Sequence, residues 1–265
     1  MVVRWLAHSA RLTAGFTIIW ALTMALAGRA ADAAEIRVFS ANGVKAVMAD
    51  LVPRFESTSG HKLTVTFGEA GELRRRILEV GDFDLAVLPA QTLRDMATLG
   101  KIAASSMVDI ASSDVGMAVR TGGDKPDTSS AGAFKRSLLA AATIVITDPA
   151  SGGVSGVHFA GVLQRLGIAE AIGPRLRLTR GELNAELVAR GEAELAVQLA
   201  HEIRAVAGVE FVPLPPEFQR SIVFSSGIPA ATKERAGADE LIAYLSGPAA
   251  AKMIVVRGME PAAGK

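Results

Sequence analysis

The sequence predicts an α/β fold with two lobes, each a mostly parallel sheet flanked by helices, and a ligand cleft between the lobes. Two observations predict it. Short β-branched apolar runs alternate with longer segments in which apolar residues recur at helical spacing, and this alternation is typical of parallel sheets covered by helices. The alternation occurs in residues 35–115 and again in residues 120–215, so we expect two such units.

The N-terminal segment, residues 1–34, is predicted to be a secretory signal peptide. Two arginines precede an apolar run at residues 12–27, and an Ala-x-Ala site follows that run. This order of basic, apolar and small residues is typical of a signal peptide, and the run is shorter than the ~20 residues that span a bilayer. We therefore expect cleavage after Ala33 or Ala34 and a periplasmic protein; an uncleaved anchor helix is the alternative.

The composition excludes several classes of protein. The chain contains no cysteine, which excludes disulfides and a lipid-modified N-terminal cysteine. Removing three arginines and one aspartate with the signal peptide leaves 25 basic and 26 acidic residues, a net charge near −1. Without a basic excess, and with a single tyrosine, the chain is not expected to bind nucleic acid.

The first unit is predicted to contain three strand–helix pairs. Ser40 or Asn42 is placed to cap the first helix, and Pro53 is expected to kink that helix or to confine it to its N-terminal part. The predicted strands are residues 36–39, 63–67 and 84–89, and the predicted helices are residues 44–55, 72–80 and 91–99.

The second unit follows a strand at residues 116–120 and a linker-like stretch at residues 121–132. Its strands are predicted at residues 144–147, 194–199 and 209–214, and its helices at residues 134–141, 155–166, 182–190 and 201–206. A strand at residues 221–226 and helices at residues 238–245 and 248–257 follow a Pro-Pro break. Because this last piece needs a surface to pack on, we expect it to return to the first unit. The predicted lobes are residues 35–117 with 218–265, and residues 118–217.

Three turns of small residues are predicted to form the ligand site. Residues 40–43, 68–71 and 151–156 each follow a strand and open a helix. Ligands of open α/β sheets bind beyond the carboxyl ends of the strands. A helix start in such a turn presents unpaired backbone N–H groups and the positive end of the helix dipole, which suits an anion. One such turn is as often a tight connection with nothing bound, but three in matching positions predict a shared cavity.

Four segments follow one another along the chain: VFSANGVKAVMADLVPRFESTSG, TFGEAGELRRRILEVGDFDLAVLP, DPASGGVSGVHFAGVLQRLG and LSGPAAAKMIVVRGMEP. In this order they resemble the periplasmic solute-binding proteins of the molybdate-binding type. The resemblance covers nearly all of the chain after the signal peptide. It implies a type II periplasmic binding protein, monomeric, that closes on a small anionic solute and delivers it to the permease of an ABC importer.

The resemblance also implies which residues contact the solute. Molybdate binders of this family use a serine hydroxyl in each of the first two turns, an N–H group in the third turn and a tyrosine near a later strand. The matching positions are Gly43, Ala70 or Gly71, Ser155, and Gln198 or Leu199, so three of the four polar contacts have no counterpart. The candidate ligand-binding residues are Ser40, Ala41, Asn42, Gly43, Glu69, Ala70, Gly71, Gly153, Ser155, Gly156 and Gln198.

Several of these residues have an alternative structural role. Ser155 is equally suited to capping the helix that it opens. Gln198 lies in an apolar strand, where it either satisfies a buried partner or faces the cleft. The carboxylate of Glu69 opposes a dianion unless it points away or pairs with Arg74 or Arg75.

Two ligand classes stay open, a molybdate-like oxyanion and a small organic anion or other polar metabolite. A secreted serine hydrolase is the alternative function, but Val157 stands where the G-x-S-x-G nucleophile motif requires glycine. We therefore expect no catalytic residues and no enzyme activity. The histidines are isolated and lack metal-ligand spacing, so no metal and no cofactor are expected.

Overall fold

A computed structural model of the protein describes residues 33–262. The strands are β1 (Glu35–Ala41), β2 (Lys62–Gly68), β3 (Leu85–Pro89), β4 (Val108–Arg120), β5 (Ile144–Thr147), β6 (Leu176–Thr179), β7 (Leu195–Leu199), β8 (Val209–Pro213), β9 (Ser221–Gly227) and β10 (Glu260–Pro261). The α-helices are α1 (Lys45–Ser59), α2 (Ala70–Glu79), α3 (Ala90–Thr98), α4 (Ala131–Ala140), α5 (Val154–Arg165), α6 (Ala169–Ile172), α7 (Asn184–Ala189), α8 (Ala200–Arg204), α9 (Arg235–Leu245) and α10 (Pro248–Val256).

The predicted signal peptide lies outside the described residues, apart from its last two. Within residues 33–262, no helix is long and apolar enough to cross a membrane.

Strand β4 belongs to both halves of the sheet. The strands lie in the order β2-β1-β3-β9-β4-β7-β5-β6, and β8 and β10 also pair with β4. Residues 108–114 of β4 pair antiparallel with β9, whereas residues 115–120 pair antiparallel with β7 and β8. Strands β1, β2 and β3 run parallel to one another, and so do β5, β6 and β7. The sheet therefore has two parallel halves joined through one long strand.

The sequence explains the main elements locally. Helix α1 buries Val47, Met48, Leu51 and Phe55, which lie on one face at helical spacing, and it ends at Gly60, whose φ of 79° suits glycine. Every residue of β5 is buried, as expected for a parallel strand that has neighbours on both sides.

Two expectations about the extent and the cap of α1 are wrong. Pro53 does not confine the helix to its N-terminal part: the helix continues to Ser59, because its four buried side chains outweigh the one backbone hydrogen bond that a proline removes. The kink, the other alternative, stays a prediction. Neither Ser40 nor Asn42 caps it: a 3-10 turn at Asn42–Val44 precedes the helix, and Val44 occupies the N-cap position.

Other elements were missed or shortened in the prediction. Strand β4 begins at Val108 rather than at residue 116, and the short elements α6, β6 and β10 were not predicted. Strand β4 changes its pairing partner between Asp114 and Val115. The lobe boundaries predicted from the sequence stay predictions.

We predict opposite effects on stability from two glycine-to-alanine changes. A Cβ at Gly116 of β4 would lie 2.2 Å from the Phe211 ring and 2.8 Å from the Val212 carbonyl oxygen, so Gly116→Ala should lower the free energy of unfolding by about 1–3 kcal/mol. A Cβ at Gly161 in α5 would meet open space, so Gly161→Ala should raise it by about 1 kcal/mol. Urea denaturation measures both, and equal midpoints for the two variants would contradict the packing described at β4.

Candidate functional site

A cavity of ≈ 420 Å³ lies at the carboxyl ends of strands from both halves of the sheet. Residues that follow β1, β2, β6 and β7 line it, together with the last residue of β5 and the start of α5. This is the position in which open α/β sheets hold ligands. The volume lies within the range of ~300–1,000 Å³ that is typical of small-molecule sites.

The three predicted turns converge at this cavity. The Asn42 side-chain amide donates a hydrogen bond to Glu69 Oε1 at 3.0 Å, which joins the first turn to the second. The second and third turns meet at Gly71 and Gly152, where a Cβ on Gly152 would lie 2.4 Å from the Gly71 Cα. Only glycine permits this backbone contact, so the approach of the two turns depends on these two residues.

Helix α5 begins at the cavity wall. Its N-cap residue is Gly153, and no side chain within residues 33–262 caps it. Val154 and Ser155 both line the cavity. The first N–H groups of a helix have no partner within the helix, so this wall can accept an anion. Ser155 lies in the first turn and is not the cap, which corrects the alternative considered for it.

Gln198 fulfils both roles predicted for it. Its Oε1 accepts a hydrogen bond from the Ala185 N–H at 3.1 Å, and its side chain lines the cavity. Neighbouring Asn184 is wholly buried and donates to the Val197 carbonyl at 3.2 Å and to Thr147 Oγ1 at 3.4 Å. This network fixes the start of α7 and the end of β7 against β5.

Glu202 brings an unusual carboxyl group to the cavity. It follows β7 on α8 and accepts a hydrogen bond from the Leu199 N–H at 3.3 Å. Burial raises the pKa of Glu202 to about 7, and the negative charge of Glu69 adds to the rise. Hydrogen bonds from Leu199 and Gln198 oppose it. Glu202 is therefore a carboxyl group that gains and loses its proton near neutral pH.

His201, next to Glu202, connects the site to β4. Its Nδ1 lies 2.9 Å from Ser113 Oγ, and its ring forms a hydrogen bond with the backbone of Gly43. Burial lowers the pKa of His201 to about 4, so the ring is neutral near pH 7. A neutral ring can donate at one nitrogen and accept at the other, which fits these two partners.

Among the described residues, the two cations that line the cavity, Lys45 and Arg257, each contact another side chain. Lys45 lines it, with its ammonium 5.7 Å from the centre of the Phe67 ring. Arg257 also lines it but holds the Asp50 carboxylate through two hydrogen bonds, at 2.5 and 2.8 Å. Arg76, in the arginine run of α2, lies over the Phe39 ring instead. Glu69 takes its hydrogen bond from Asn42 rather than from Arg74 or Arg75.

The candidate residues divide into those that line the cavity and those that support it. Gly156 supports it, because a Cβ there would lie 1.8 Å from the Thr147 carbonyl oxygen and would push α5 off β5. Ser40 is fully buried in β1, and its hydroxyl has no hydrogen-bond partner within residues 33–262. The lining residues are Asn42, Gly43, Glu69, Ser155 and Gln198. The candidates outside the lining are Ser40, Ala41, Ala70, Gly71, Gly153 and Gly156.

Sequence reasoning missed several residues that line the cavity. Glu69 was selected because it lies in a turn of small residues after a strand, whereas β7 leads directly into α8, so His201 and Glu202 were not selected. Gln198 was selected because it matches the position of the tyrosine in the molybdate binders. The missed polar residues are Lys45, Thr147, Glu182, His201, Glu202 and Arg257.

A second, larger hollow of ≈ 1150 Å³ lies away from these strand ends, beside α3, α10 and β10. Two of its polar groups already have partners: Asp109 accepts a hydrogen bond from the Ser225 hydroxyl, and the Ser246 hydroxyl donates to the Ile242 carbonyl. The first cavity is therefore the stronger candidate for a ligand site.

Comparison with known proteins places the chain among bacterial binding proteins. A family model described as "Bacterial extracellular solute-binding protein" matches residues 36–260. Aconitate isomerase of a Pseudomonas species is 29% identical over 233 residues, covering 85% of this chain and 87% of the relative. The molybdate-binding protein ModA of Azotobacter vinelandii is 27% identical over 249 residues, covering 91% of this chain and 96% of the relative.

Solved structures confirm the predicted fold class. The periplasmic molybdate-binding protein of Azotobacter vinelandii superposes with a TM-score of 0.68 at 18% identity, covering 87% of this chain and 100% of that chain. A periplasmic thiamin binding protein gives a TM-score of 0.73 at 16% identity, covering 87% and 84%. The two-lobed α/β fold with a cleft, expected from the strand–helix pattern, is thereby established.

One prediction is overturned by these comparisons. The sequence led us to expect no enzyme activity, yet a relative that matches 85% of the chain carries the name of an enzyme, aconitate isomerase. The failed serine-nucleophile motif excluded one catalytic mechanism only, and it did not bear on a pair of carboxyl groups.

We predict that Glu202 and His201 give the stability of the protein opposite dependences on pH. Folding raises the pKa of Glu202 from about 4.5 to about 7, so the stability that its bound proton contributes is lost as pH rises through this window. Folding lowers the pKa of His201 from 6.5 to about 4, so its contribution is lost as pH falls through that window. Relative to the unmodified protein, the Tm of Glu202→Gln should therefore rise between pH 4.5 and 7, and that of His201→Gln should fall. Thermal unfolding at several pH values measures both, and parallel curves for all three proteins would contradict the site described.

Proposed function

The chain belongs to the family of bacterial extracellular solute-binding proteins, and from that premise we propose that its cleft binds a small organic polycarboxylate and interconverts double-bond isomers of it by moving a proton. Members of the family bind small solutes as components of ABC transporters. The proposal adds a chemical step to that binding.

The observation that carries the proposal is the pair of carboxyl groups in the cleft. Glu69 and Glu202 line the same cavity and interact electrostatically. A pair of carboxyl groups in one cavity, of which one has a raised pKa, is a common acid–base pair in proton-transfer sites. Glu202, with a pKa of about 7, carries its proton in about half of the molecules at pH 7 and serves as the acid; Glu69 serves as the base.

The reaction that fits this pair is a shift of one proton along an allylic system. The base removes a proton from the saturated carbon between a carboxylate and the double bond. The electron pair of that C–H bond forms the new double bond, and the acid delivers its proton to the far carbon of the old one. No atoms are gained or lost overall. After each turnover the proton on Glu69 returns to Glu202 directly or through water.

The remaining groups of the cleft suit a ligand with several carboxylates. One carboxylate can lie on the N–H groups at the start of α5, beside the Ser155 hydroxyl. A second carboxylate of the ligand can lie near the Lys45 ammonium, which lines the same cavity. The relative named aconitate isomerase acts on an unsaturated tricarboxylic acid, and its match over most of the chain supports this class of ligand.

A second candidate function is the capture of a molybdate-like oxyanion for an ABC importer. The exposed start of α5 with Ser155 favours it, because backbone N–H groups bind a tetrahedral oxyanion without cations. The relative named for molybdate binding supports it as well. This function gives the two carboxyl groups of the cavity no role, because capture of an oxyanion involves no proton transfer.

We predict that the purified protein interconverts cis- and trans-aconitate and, in D2O, incorporates deuterium at the allylic carbon. Glu69→Gln and Glu202→Gln should each lower kcat by roughly 10²- to 10⁴-fold, because each removes one partner of the proton transfer. Glu79→Gln, at the exposed end of α2, is the matched control and should keep the full rate. Proton NMR follows both the isomers and the exchange.

The same samples separate the two candidate functions. If neither aconitate isomer exchanges its protons, and molybdate or tungstate alone raises the Tm, then the oxyanion-binding function is correct and the isomerase proposal is wrong.

A further inference from the structure

The two carboxyl groups of the cleft come from opposite halves of the sheet. Glu69 follows β2, which belongs to the half that contains β1 and β3. Glu202 lies on α8 directly after β7, which belongs to the half that contains β5 and β6. Their approach therefore depends on how closely the two halves come together.

Backbone contacts hold the two halves together around this pair. Gly71 meets Gly152 so closely that a Cβ on either would overlap the backbone of the other. A Cβ on Gly43 would lie 2.9 Å from Leu199 Cδ1, so the first turn also touches the end of β7. At the rim, Arg180 pairs with Asp148 at 2.7 Å and is drawn electrostatically to Glu72 on the opposite half. The two halves are thus in contact around Glu69 and Glu202, which stay partly exposed.

The charged groups that line the cavity with Glu202 come from several elements. The cations are Lys45 on α1 and Arg257 after α10, held by Asp50. Arg204 on α8 lies over the Phe211 ring and acts electrostatically on His201. His201 is neutral near pH 7, because burial lowers its pKa to about 4. The other acidic groups are Glu69 and, at the exposed edge, Glu182.

We propose that the closed cleft binds its anionic ligand together with one proton, held on Glu202 in the cavity that Glu69 also lines. The inference rests on the function proposed above for this site and adds its regulation: ligand capture is coupled to proton uptake.

The physical reason is that two partly buried carboxylates in one cavity repel each other and an anion, so ionising both is unfavourable. When the halves separate, each carboxyl group returns to water and Glu202 loses its proton above its ordinary pKa. When they close, burial and the charge of Glu69 raise the pKa of Glu202. The closed form binds more protons, so closure is favoured at low pH, and this advantage is lost as pH rises from about 4.5 to about 7.

The ligand adds to this effect. An anion placed in the cleft is a third negative charge, so it binds the form in which Glu202 carries its proton. Above pH 7, each further pH unit lowers the population of the protonated form about tenfold. The Kd for the ligand should rise by the same factor. Below pH 6 the proton is already present, and the Kd should depend little on Glu202.

The test is isothermal titration calorimetry of trans-aconitate in two buffers that differ in ionisation enthalpy. The expected result is an uptake of close to one proton per ligand at pH 8 and close to none at pH 6. Glu202→Gln keeps a hydrogen-bond donor in place of the carboxylic acid, so it should bind trans-aconitate with a Kd that is independent of pH between 6 and 8 and without proton uptake. Binding without proton uptake by the unmodified protein at pH 8, or uptake that persists in Glu202→Gln, overturns the proposal.

A second measurement needs no ligand and separates this proposal from the function on which it rests. Carbon-13 NMR of labelled glutamate carboxyls in the ligand-free protein should show one group, absent in Glu202→Gln, that titrates near pH 7. In Glu69→Gln the same group should titrate at lower pH. If trans-aconitate does not bind but this titration is observed, the polycarboxylate is wrong and the proton site stands. If Glu202 titrates at its ordinary value, unchanged by Glu69→Gln, the proton site is wrong.

Discussion

The site depends on one constraint, the continuity of strand β4 through both halves of the sheet. One part of β4 pairs with β9 and the other with β7 and β8, so the two parallel halves share this strand. This connection places the carboxyl ends of β1 and β2 near those of β5 and β7. His201, bonded to Ser113 on β4 and to Gly43 after β1, links these ends directly to the shared strand.

The balance of charges in the cleft follows from this placement. Facing strand ends bring Glu69 and Glu202 into one cavity, in which Arg257 is held by Asp50 and Lys45 lies over the Phe67 ring. A binding site for a multiply charged anion would ordinarily gain nothing from two carboxylates. Their presence is accounted for when one of them carries a proton, because a protonated carboxyl group both donates a hydrogen bond to an anion and supplies a proton for chemistry. Binding, catalysis and pH dependence then have a common origin in the same pair.

The sequence predicted the fold and the convergence of three turns, because strand–helix alternation and small residues at strand ends are local patterns. It located Asn42, Gly43, Glu69, Ser155 and Gln198 at the cavity on this basis. It did not reveal Glu202, whose altered proton affinity arises from burial and from a residue more than a hundred positions away. Nor did it reveal that Gly71 and Gly152 touch, since each was assigned to a turn of its own. The pKa of Glu202 and the contact between Gly71 and Gly152 both depend on packing between segments far apart in the sequence, so local sequence patterns could not predict them.

The most direct test of this account is a crystal structure of the protein with trans-aconitate at neutral pH. The account predicts the ligand between the two halves of the sheet, one carboxylate on the N–H groups of Val154 and Ser155 and the allylic carbons between Glu69 and Glu202. Ligand bound instead in the larger hollow beside α10 and β10, or in the cleft with both carboxyl groups turned away from it, would contradict the account.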